Sequence, residues 1–89
     1  MADRIKKATE KMEYWQVGNG PDLIYLMDGV HDVFVNCGEH LDTVYVHEDD
    51  LGEALLNCAG QMPDEEGRNE KQFKVMGDEY KAYIRLWWD

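Results

Sequence analysis

Apolar positions along this chain change period several times, and each change marks an element. Residues 2–13, ADRIKKATEKME, place Ile5, Ala8 and Met12 at i, i+3 and i+7 among Lys and Glu, a spacing that predicts an amphipathic first helix. In YWQVGNGPDLIYLMDG two apolar runs flank the turn formers Gly18-Asn19-Gly20-Pro21, which predicts a short strand, a loop and a longer strand. Leu23 to Met27 then meets Asp28-Gly29 before HDVFVN, so a hairpin is expected, with Leu26 opposite Val33 and Ile24 opposite Val35. A third run, DTVYVH, sends Val44 and Val46 to one face and Thr43 and Tyr45 to the other. These three runs read as an antiparallel meander.

The second half continues with DDLGEALLNCAG, a helix signal. Asp50 stands at the expected N-cap with Glu53 three residues on, Gly60 lies past the end, and Pro63 blocks continuation. Leu51, Ala54, Leu55 and Cys58 form its inward stripe. PDEEGRNE has no periodicity and predicts an exposed loop. QFKVM and EYKAYIRLWW flank Gly77-Asp78, a pair suited to a type II′ hairpin turn. Helix, meander, helix and hairpin together predict an α+β fold, with an antiparallel sheet of about four to six strands and one domain spanning residues 1–89.

Composition changes this picture in one respect, which is charge. The net charge is −10, and every Lys and Arg lies before residue 12 or after residue 67. Thirteen carboxylates occupy the stretch between, and such like-charge crowding opposes compaction unless it serves something. Solubility alone is one explanation. Docking onto a basic partner is the sharper one, because complementary charge steers association. Direct binding of nucleic acid is disfavoured, since phosphate contacts need Lys/Arg clusters. Acids at the start of the second helix also have a structural reason, through the helix dipole.

Candidate chemistry adds little. Cys37, His40, His47 and Cys58 include a Cys-x2-His pair, but packing and capping explain them as well as zinc does, and no metal or other cofactor is assigned. Two cysteines fit a reducing compartment better than a disulfide framework. The chain contains no serine, and Gly18 to Gly20 lacks the further glycine and helix of a phosphate loop, so no enzyme is expected. The N-terminus lacks the apolar stretch of a signal peptide and no window approaches a membrane span, which leads to the expectation of a cytoplasmic protein.

The closing AYIRLWWD is more informative. Alternation sends Tyr80, Ala82, Ile84, Leu86 and Trp88 to the core face, and Lys81, Tyr83, Arg85 and Trp87 to the other. If a helix covers that other face, Trp87 is core too; if the face is open, Tyr83, Arg85 and Trp87 form a stripe of the residue types most enriched at binding hot spots. With the acids Asp28, Asp32, Glu39, Asp42, Glu48, Asp49, Asp50, Glu53, Asp64, Glu65 and Glu66 they make up the candidate partner-binding set. In general character (short, acidic, aromatic-rich, without a catalytic signature) the chain is similar to phage-encoded inhibitors, anti-CRISPR proteins among them, and to acidic bacteriocin immunity proteins. The resemblance is one of composition and assigns no residue. It implies a non-enzymatic inhibitor of a basic, nucleic-acid-handling protein or nuclease, acting as monomer or homodimer. Carboxylates at i and i+2 on a strand, roughly 6.6 Å apart, would stand in for phosphates. The alternatives are an acidic immunity protein neutralising a nuclease toxin, and a small adaptor subunit whose acidity serves solubility alone.

Overall fold

A computed structural model describes residues 5–36, 40–68 and 81–89. In chain order it contains strand β1 (Ile5–Lys7), a 3-10 turn (Glu10–Met12), the short helix α1 (Leu23–Leu26), and strands β2 (Val33–Asn36) and β3 (Thr43–His47). A 3-10 turn (Glu48–Asp50) then leads into helix α2 (Leu51–Asn57), followed by β4 (Glu65–Gly67) and β5 (Tyr83–Trp87). The five strands form one antiparallel sheet in the order β1-β2-β3-β5-β4, so the α+β architecture is the one expected.

The sheet's inner face follows from strand alternation. Val33 and Val35 stand opposite Val46 and Val44, and these in turn stand opposite Ile84 and Leu86. All six are buried and pack with Leu23 and Leu26 of α1, Ala54 of α2, and Cys58 just beyond α2. TVYVH occupies the centre of the sheet, where β-branched and aromatic residues pack against cross-strand neighbours on either side. Accordingly Thr43 and Tyr45, on the opposite face, are buried too.

Several elements differ from the sequence reading. The expected N-terminal helix is instead β1 followed by a 3-10 turn. Its spacing still marked inward residues, since Ile5 is half-buried, Ala8 is buried and Met12 packs against the core. β1 pairs with β2 along the edge that the Leu23–Met27 segment was expected to fill. That segment is a helix because Leu23 and Leu26, at i and i+3, both point into the core while Tyr25 points out. A short apolar run fits either period, and here tertiary burial selected the helical one. The hairpin register of Leu26 with Val33 and Ile24 with Val35 therefore does not form. The expected short strand before it is reduced to one bridge between Gln16 and Asp22.

Two further corrections concern the second half. The helix begins one turn early as 3-10, so His47, not Asp50, is its cap: the His47 ring Nδ1 accepts from Asp49 N at 3.1 Å. Asp50 makes no capping bond and its carboxylate reaches His31 instead, accepting from the backbone N at 3.3 Å. Part of the PDEEGRNE loop is β4, an edge strand on β5, although all three of its residues are exposed as expected. The hairpin about Gly77-Asp78, with Phe73, Val75 and Tyr80, lies outside the described residues. No helix among the described residues is long and apolar enough to cross a membrane.

The terminal strand keeps its expected alternation: Ile84, Leu86 and Trp88 are buried, and Tyr83, Arg85 and Trp87 are half-buried. Trp88 is 2% exposed, and its indole Nε1 donates to Gln61 O at 2.8 Å while its backbone N donates to Asp42 O at 2.9 Å. It rests on the turn at Gly18-Asn19-Gly20. A Cβ at Gly20 would lie 2.4 Å from the indole nitrogen, and Gly18, at φ +53°, would bring one within 2.9 Å of Trp88 O. Only glycine lets this ring approach so closely.

Candidate partner-binding surfaces

Two surfaces bring together the residue types that recognise proteins. One is the outer face of the sheet. Thr43 stands opposite Trp87, Tyr45 opposite Arg85 and His47 opposite Tyr83, while Phe34 stands opposite Tyr45. Phe34 and His47 each meet the Tyr83 ring edge-on, with centroids 5.5 and 5.4 Å apart. Arg85 also pairs with Glu65 at 3.4 Å across to the edge strand. Burial pushes the Tyr45 hydroxyl's pKa up, Arg85 pulls against it, and Asp42 adds to the rise. The stripe of Tyr83, Arg85 and Trp87 is therefore assembled as alternation implied, but as half-buried members of an aromatic layer.

The other surface is an open groove of about 610 Å³ between the first 3-10 turn and the two helices. Glu10 lines one side, Ile24, Tyr25, Met27, Asp28 and Gly29 another, and Asn57 closes it from α2. Asn57 fixes this wall, because its side-chain amide donates to Leu26 O at 3.0 Å and to Asp28 O at 2.6 Å. Glu53 reaches the same end of α1: its Oε1 lies 3.2 Å from where a Cβ on Gly29 would stand. Tyr25 is 65% exposed on the groove, and Leu56, beside Asn57, is 72% exposed. The aromatic pair Tyr14-Trp15 is held at the start of α1, where Leu23 N donates to Trp15 O at 2.7 Å.

The fold distributes the candidate acids among several places. Asp32 pairs with Lys7 at 3.0 Å, Asp50 with His31 at 3.2 Å, and Glu48 with Arg68, while Asp49 donates its backbone N–H to the His47 ring. The Asp42 carboxylate accepts from the neighbouring Thr43 Oγ1, and Asp64 Oδ2 accepts from Asp89 N at 2.7 Å, which ties down the residues after β5. Glu65 and Glu66 are neighbours on β4 and point to opposite faces, so the phosphate-like i, i+2 spacing along a strand is not how these carboxylates are arranged. Glu39 and Cys37 lie outside the described residues. Among the described residues, no Lys, Arg or His pairs with Glu10, Asp28 or Glu53, the acids gathered at the groove.

Sequence reading named Asp28 and Glu53 but missed Glu10, Tyr25 and Asn57. A signal was available for Tyr25, because it is the outward residue between two leucines three apart. Of the four residues weighed as zinc ligands, Cys58 is buried in the core and His47 caps a helix. No group of three His, Cys, Asp or Glu side chains among the described residues converges as a metal-binding set. No protein-family model matches the chain, and the searches of curated proteins and of solved structures returned no match.

Proposed function

We propose that this protein is a small non-enzymatic inhibitor that binds a basic, nucleic-acid-handling protein through its acidic surface, in the manner of phage-encoded anti-defence proteins. The observation that carries this reading is charge segregation: thirteen carboxylates and no Lys or Arg between residues 12 and 67. The fold supports it by leaving Glu10, Asp28 and Glu53 without cationic partners among the described residues, around a groove with an exposed aromatic. Carboxylates then occupy places on the partner that phosphates would otherwise take, with the arrangement set by the helix ends instead of by strand spacing.

A second reading has its own support. Asp32, Asp50, Glu48 and Glu65 are each paired within the fold, as expected of an adaptor whose acidity serves structure and solubility. Capture on the immobilised protein separates the two. The inhibitor reading requires captured proteins enriched in nucleic-acid binders, displaced by competing duplex DNA. Their affinity should fall at least about tenfold between about 50 and 200 mM salt. Binding that is indifferent to salt and to DNA supports the adaptor instead.

A further inference from the structure

We infer that the groove between α1, α2 and the first 3-10 turn is the seat for an arginine-bearing segment of the basic partner, with Tyr25 as the stacking surface and Glu10 and Asp28 as the carboxylates that receive the guanidinium. The inference rests on the inhibitor reading and gives it a location. Three independent features of the groove select this occupant. Its acids Glu10 and Asp28 have no cationic partner among the described residues, whereas Asp32, Glu48 and Glu65 near the sheet are held by Lys7, Arg68 and Arg85. Its aromatic is exposed although α1 buries Leu23 and Leu26, so Tyr25 contributes little to the core and its side chain is accessible to a cation. Its wall is pre-organised, because the two bonds from Asn57 hold the α1 end where Asp28 sits.

The chemistry favours arginine over other ligands. A planar guanidinium stacks on an aromatic face while its fork of N–H donors reaches carboxylates at the edge, and a lysine ammonium satisfies only the charge. Met27 and Ile24 in the groove floor suit the apolar stem of a long cationic side chain. A neutral apolar peptide would leave Glu10 and Asp28 facing it without partners, at the desolvation cost of each charge. Phosphate ligands are repelled by the same acids.

The test uses the full chain and two capped probes, a peptide of six arginines and one of six lysines, with binding followed by backbone amide shifts and by calorimetry at low salt. Amide shifts on titrating the arginine peptide are expected to centre on residues 24–29, with Glu10, Glu53 and Asn57. The double variant Glu10→Gln with Asp28→Asn should weaken arginine-peptide binding about fivefold. The variant Asp89→Asn removes a charge at an exposed residue that does not line the groove and should leave affinity within about twofold. Tyr25→Ala should weaken the arginine peptide about threefold and the lysine peptide less. Every substitution is at an exposed position, and amide dispersion verifies that each variant is folded.

Equal losses from the two charge variants, or shifts centred on the outer sheet face, would overturn the groove as the seat while leaving the acidic inhibitor reading intact. No binding of either peptide at low salt would overturn both.

Discussion

Trp88 shows how much one residue can decide. It stacks on the Gly18 to Gly20 turn, hydrogen-bonds to Gln61, and lies beside Asn19 N donating to Asp89 O, so a single side chain joins the chain's end to two loops. Gly20→Ala is expected to lose about 1–3 kcal/mol, because its Cβ would overlap the indole and the core cannot yield there. Gly52→Ala, where nothing lies within 4 Å of the new Cβ on an exposed helix position, should instead gain about 0.5–1 kcal/mol. Urea unfolding of the two variants checks both signs. Cys58 offers a second test at this scale, since burial pushes its thiol up to about 11 from 9.0. The folded state then holds this proton to higher pH than the unfolded chain does. The resulting stabilisation is complete below 9.0 and is lost as pH rises through about 11. In a Cys37→Ala background the native thiol should react with a disulfide reagent at pH 8 far more slowly than the urea-unfolded chain. Equal rates would contradict the burial described.

At the scale of elements, residue spacing fixed which side chains go inward more reliably than which conformation carries them. Ile5, Ala8 and Met12 all turn toward the interior, but on a strand, a loop and a 3-10 turn, where their spacing had implied one helix. Leu23 and Leu26 are core residues on a helix of four, a length at which intrinsic propensity decides nothing and packing decides everything. That helix exists because α2 lies beside it, and Asn57 supplies the link. Asn57→Ala should cost about 1–2 kcal/mol by removing two hydrogen bonds to the α1 end, and should broaden the amide signals of residues 24–29. A variant with unchanged stability and spectrum would mean that α1 is held by its leucines alone. The β3 and β5 strands were legible because they are long, β-branched or aromatic, and strictly alternating. β4 was not, since Glu65-Glu66-Gly67 carries no strand signal of its own and is a strand only because β5 has a free edge.

For the molecule as a whole, the net charge of −10 implies self-repulsion that salt should relieve. Raising sodium chloride from about 20 to 300 mM is expected to raise the thermal midpoint by a few degrees, about 4 °C for each kcal/mol gained in a chain of this size. A midpoint that falls with salt would show instead that the ion pairs of Lys7, Arg68 and Arg85 outweigh the repulsion. The α+β class, the central strand, the buried face of the last strand and the segregation of charge all follow from the sequence by itself, because alternation, turn residues and charge are local properties. Which acids remain uncompensated was decided only by the tertiary structure. Lys7 meets Asp32 through the β1-β2 pairing and Arg85 meets Glu65 across β4 and β5, whereas Glu10, Asp28 and Glu53 gather where a turn and two helices meet. Those meetings join residues far apart in the chain, and the energy that places them is the burial of Leu23, Leu26 and Ala54 in a common core, which no local pattern encodes.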